Sequence, residues 1–104
     1  MGQSSTTRIN SWVSQAESGR VEAQYQLGLI FSTGTGGTPV DFVAAHKWLN
    51  LAAMRGSEDA KRLRVELAHD MSREEIAEAQ RQAREWICGQ EVATVAHAHA
   101  HARA

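Results

Sequence analysis

Small residues return at one interval in this chain, and that interval limits the folds open to it more than any other feature. Ala16 and Gly19 are answered 37 residues later by Ala53 and Gly56, Ala23 by Ala60, and the apolar Trp12 by Leu49. A period in that range, with alanine and glycine at fixed points, belongs to stacked helical hairpins, whose helices approach closely only where side chains are small. One such unit leaves an apolar face uncovered, so the units must stack or be capped.

The punctuation between the repeated points predicts five helices. Apolar residues from Trp12 to Ala16 keep helical spacing and stop before Gly19, which gives a short first helix. From Val21, the residues Ala23, Leu27, Ile30 and Phe31 form a stripe, widened by Tyr25 and Leu29, that Gly34 ends. Residues 34–39 combine three glycines with Pro39 and have no periodic apolar content, so they read as a turn. Asp41 then offers a side-chain cap to a third helix carrying Phe42, Ala45, Trp48, Leu49 and Ala52. Ser57, with Glu58 and Asp59 behind it, starts a fourth that carries Ala60, Leu63 and Leu67 and ends near Asp70. A capping box at Ser72 and Glu75 opens a fifth, with Ile76, Ala79, Ala83, Trp86 and Ile87 in step, expected over 72–88 and stopping at Gly89. The expected domain is therefore 1–89, all-α, followed by a flexible Ala/His-rich tail over 90–104.

A chain of 104 residues fits a single domain with one modest core. Its 11 Lys and Arg against 12 Asp and Glu leave a formal charge of -1, with no excess to draw it to nucleic acid or to an acidic membrane. The single cysteine, Cys88, cannot form an internal disulfide, and the sequence has no basic start followed by an apolar run. Both readings favour a cytoplasmic protein that finds its partner by surface shape.

The run Ala23, Leu27-Gly28, Phe31, Gly34, Gly36, Asp41, Ala45, Trp48, Ala52-Ala53 and Gly56 resembles the Sel-one-like repeat, a relative of the tetratricopeptide repeat. The resemblance covers one complete unit, about 19–56, preceded by the closing helix of another. The unit after it is degenerate: beyond Ala60 there is no Leu-Gly pair and no glycine-rich turn. Met71 to Trp86 is similar to the helix that follows such repeats in small bacterial proteins, and is expected to cap the array. The resemblance implies an α-solenoid of antiparallel helical hairpins with a tetratricopeptide-like superhelix, and protein binding in an adaptor, scaffold or regulator. It brings no catalytic residues.

Within the complete unit, Gly28 sits mid-helix, where glycine costs about 1 kcal/mol relative to alanine, so an opposing helix must approach it closely. Trp48 is expected to fill the space beside it, although an aromatic there could also serve as a binding anchor.

Chemically suggestive residues are few. The glycines at 34–37 lack the Gly-Lys-Ser/Thr ending and the preceding strand of a phosphate loop. No spacing joins Cys88 to His46 or His69 as nucleophile and base, so no enzyme activity is expected, and neither histidine reads as a metal ligand. No cofactor is implied. His97, His99 and His101 alternate with alanine and in an extended chain could share Zn, Ni or Cu, which makes metal handling the alternative function. No cysteine or carboxylate accompanies them there.

In stacked hairpins the first helix of each pair lines the concave face. Residues of the second helix directed away from Leu27 and Phe31, namely Glu22, Tyr25, Leu29 and Ser32, are therefore the candidates to meet a partner protein or peptide. The 37-residue shift adds Asp59, Arg62 and Glu66, with His69 beyond them. With fewer than three repeats, either the end helices cap the array or a second copy of the chain closes its open face.

Overall fold

A computed structural model describes residues 4–103, with side chains from 8 to 90. It contains α1 (Ser4–Glu17), α2 (Val21–Thr33), a 3-10 turn (Thr35–Gly37), α3 (Phe42–Met54), α4 (Glu58–Ala68) and α5 (Arg73–Arg103), and no strand among the described residues. The chain is an all-α solenoid of antiparallel hairpins, as the repeat predicts.

The start signals work by the chemistry read from them. Asp41 Oδ1 accepts from the Ala44 amide at 3.0 Å, and Ser57 Oγ from that of Ala60 at 3.1 Å. Ser72 and Glu75 exchange reciprocal bonds of 3.1 and 2.8 Å. The repeat pair Gly19 and Gly56 share a left-handed backbone, φ 98° and 101°, so the two helix ends are conformationally equivalent.

Two boundaries differ from expectation. α1 starts at Ser4, well before the apolar stripe. Its first two turns are Ser/Thr-rich and carry no periodic signal. α5 does not stop at Gly89. A single glycine costs a helix about 1 kcal/mol and ends it only if the backbone turns left-handed, and the alanine-rich sequence beyond it favours continuation. The side chains of His97, His99 and His101 lie outside the described residues.

α3 is the centre of the molecule, with Ala45, His46, Trp48, Leu49, Leu51, Ala52 and Ala53 all buried. Two apolar clusters lie on either side of it. In one, Ala16, Ala23, Leu27, Trp48, Leu51 and Ala83 join α1, α2, α3 and α5. In the other, Ala45, Leu49, Ala52, Ala53, Ala60 and Leu67 join α3 to α4, with Tyr25 and Val21 of α2 against them. The three tryptophans sit one each on α1, α3 and α5 in the first cluster, and Trp86 meets Trp48 edge-on with centroids 6.2 Å apart. α1 is tied to α2 by Gln24, fully buried, whose Nε2 donates to the Ala16 carbonyl at 3.2 Å.

The close approach foreseen at Gly28 exists, but Leu49 fills it and Trp48 does not. A Cβ built on Gly28 would lie 2.5 Å from Leu49 Cγ. Adjacent residues on a helix are about 100° apart. Turning Leu49 toward α2 therefore aims Trp48 at α1 and α5.

Gly28→Ala is expected to lower stability by about 1–3 kcal/mol despite the gain in helix propensity, because the added methyl has no room. Combined with Leu49→Ala, its cost should largely vanish in a double-mutant cycle read from urea midpoints. Additive costs would show that the two side-chain positions do not share one space.

Candidate functional site

The structure sets the expected partner-binding residues along α2 and α4, the first helices of successive units. Glu22 is exposed and accepts from Gln26 Nε2 at 3.0 Å. Leu29 is half-buried, and its carbonyl accepts from the hydroxyls of Ser32 and Thr33 at 3.1 and 2.8 Å. Tyr25 is half-buried and packs against the α3–α4 cluster, so it is part of the α2–α4 seam rather than a free-standing anchor. On α4, Asp59 and Arg62 form an exposed ion pair and Glu66 is exposed. Together they make a shallow surface of mixed charge with Leu29 as its apolar component.

A deeper feature lies on the other flank of α4. α2 and α3 are in close contact, but α4 and α5 scarcely touch among the described residues. Between them opens a cleft of about 660 Å³. Its walls are Arg64, Val65, Ala68 and His69 from α4 and its C-terminal cap, and Ile76 and Gln80 from α5; His46 and Asn50 of α3 line it as well.

The repeat explains the cleft. The 37-residue shift carries Leu27, Gly28 and Phe31, by which α2 grips its neighbours, onto Arg64, Val65 and Ala68. A charged arginine replaces the fully buried leucine, a β-branched valine replaces the glycine notch, and alanine replaces the phenylalanine. The arginine and the valine keep a second helix from closing in as α3 does on α2, and the alanine lacks the reach by which Phe31 packs against both clusters. α5 packs against α3 instead, burying Ala79 and Ala83.

The chemistry of the cleft is polar at its base. Arg64, half-buried, donates from Nη1 to Asn50 Oδ1 at 2.7 Å. His46 is only 4% exposed, and its Nδ1 has no hydrogen-bond partner. Burial first, and the Arg64 charge second, hold its pKa below the ordinary histidine value. His69 and Gln80 are exposed at the rim, and Val65 is 55% exposed.

Sequence reasoning named His46 and His69 without joining them, and missed Asn50, Arg64 and Gln80. The available signal was the missing Leu-Gly pair in the second unit. Cys88, exposed on α5 about two turns beyond Gln80, does not line the cleft that the two histidines share. Among the described residues, no three His, Cys, Asp or Glu side chains stand in a metal-holding group.

Residues 21–57, which span α2, the glycine turn and α3, match the family model of the Sel1 repeat. No curated protein and no solved structure matches the chain.

A buried neutral imidazole binds fewer protons than the same residue in the unfolded chain, so its stabilising contribution is complete above the ordinary histidine range and is lost as pH falls through it. The melting temperature should therefore drop between pH about 7 and about 5. His46→Leu should flatten that drop; an unchanged slope would assign it to other groups.

Proposed function

We propose, from the premise that this chain is a Sel1-like repeat protein and that such repeats generally mediate protein–protein interactions, that it is a non-catalytic adaptor or regulator module. The observation that carries the reading is the side-by-side array of α2 and α4, the two first helices of successive units, with polar residues outward and both helices backed by α3. Glu22, Tyr25, Leu29 and Ser32 of α2 with Asp59, Arg62 and Glu66 of α4 form the docking face, and a partner polypeptide lies along it. Mixed charge over a small apolar strip suits a reversible contact whose register is set by charge and whose affinity comes from Leu29 and the seam at Tyr25. Among the described residues no helix is long and apolar enough to cross a membrane, and cytoplasmic action accords with the lone cysteine.

Peptides enriched on the intact chain from a displayed random library provide the test, with calorimetry against Leu29→Glu and Arg62→Glu. Each substitution is expected to weaken the enriched peptides about tenfold or more. Helical circular dichroism should not change. Unaltered affinity in both variants would remove the face from consideration.

A further inference from the structure

We propose that the cleft between α4 and α5 is a binding site for a carboxylate flanked by an apolar group, carried by a polypeptide as an acidic side chain or as a free chain end. The site stands on the opposite flank of α4 from the docking face and does not depend on that face.

Three observations carry it. First, Arg64 is a half-buried cation with no carboxylate in an ion pair to it among the described residues; its one recorded bond is to the neutral Asn50. The other arginines of α4 and α5 with recorded ion pairs, Arg62 and Arg81, are exposed and have carboxylates beside them. A guanidinium has five donors in a rigid fork, so the bond from Nη1 to Asn50 fixes the group while leaving donors for a planar oxyanion. Second, no Asp or Glu lines the cleft, so nothing there repels an anion. His46, at the α3 side, retains a buried ring nitrogen with no partner, a polar capacity that folding alone has not met. Third, the walls beside Arg64 are apolar, with Val65 55% exposed and Ile76 across the cleft from it, and the solvent-open space of about 660 Å³ between them has room for an acidic side chain or a chain end.

The charge count selects the oxyanion. One guanidinium balances a single negative charge, which matches a carboxylate; against it alone a phosphate dianion would remain half compensated. The apolar walls then take the side chain next to it.

The experiment is a titration of the isotope-labelled full chain, observing the Arg64 Nε–H and His46 ring signals by nuclear magnetic resonance near neutral pH. The probes are N-acetyl-leucyl-leucine with a free carboxylate, N-acetyl-leucyl-aspartyl-leucinamide with a side-chain carboxylate, and N-acetyl-leucyl-leucinamide with none. At least one carboxylate probe should shift both signals saturably below about 20 mM, and the amide should not. Which carboxylate probe binds tells the chain end from the acidic side chain. Arg64→Met should weaken the binding about tenfold or more. Gln80→Glu, which sets a negative charge on the exposed rim, should do the same and decides the matter if the arginine variant is misfolded. Leu29→Glu should leave the titration unchanged, so failure of the docking face and failure of the cleft are read separately. Equal shifts with the amide, no saturation with either carboxylate, or full binding by a folded Gln80→Glu protein would each overturn the assignment.

Discussion

Leu49 occupies the place where a Cβ on Gly28 would be, and the architecture follows from that one contact. It lets α2 and α3 lie closer than two side-chain-bearing surfaces could, and it fixes the rotation of α3 about its own axis. With Leu49, Ala45 and Ala52 committed to one side, Trp48 and Leu51 are committed to the other. Each side of α3 thus acquires its own cluster, one receiving α1 and α5 and the other receiving α4. A helix with seven buried residues in thirteen has no solvated face to spare. That is why the later helices arrange themselves around α3 and not around one another.

The second unit shows what happens when the contact is absent. α4 begins with an equivalent glycine turn, is capped by a serine, and buries Ala60 where α2 buries Ala23. It differs at the three positions that would hold a partner helix, and the result is a gap instead of a hairpin. α5 offsets the loss elsewhere, by inserting Ala79 and Ala83 against α3 and setting Trp86 on Trp48. The same substitution set that weakens the repeat as a packing unit supplies the cleft with its guanidinium. Where α2 is covered by its neighbour, the degenerate unit leaves one guanidinium among apolar side chains on a surface that water or a ligand can reach.

Much of this was legible before any coordinates, because helix starts and ends are local chemistry. Asp41, Ser57 and Ser72 announce caps, and Gly19 and Gly56 announce left-handed turns, whatever the surroundings do. The start of α1 was not legible, since a Ser/Thr-rich turn has no apolar period to read. Nor was the partner of Gly28: Trp48 and Leu49 are adjacent and both apolar on a helix buried nearly all round, so periodicity cannot choose between them. The cleft was hardest, because it is a missing contact between helices. Only the exchange of Leu27, Gly28 and Phe31 for Arg64, Val65 and Ala68 recorded it, and a single sequence reads such an exchange as decay of the repeat.

α4 stands between the two surfaces and is less firmly anchored than α2 or α3. Only Ala60 and Leu67 are buried on it, against four residues on α2 and seven on α3. Local opening draws on elements with few buried apolar contacts, so α4 should open at lower free energy than the α2–α3 hairpin. A ligand held along Asp59, Arg62 and Glu66 adds contacts to one flank of α4, and a carboxylate on Arg64 adds them to the other. Each binds only the ordered helix, so each lowers the ordering cost left for the second. By linkage the two occupancies then favour one another to the same extent in both directions. Two small surfaces that share one weakly held helix can in this way gain selectivity from one another.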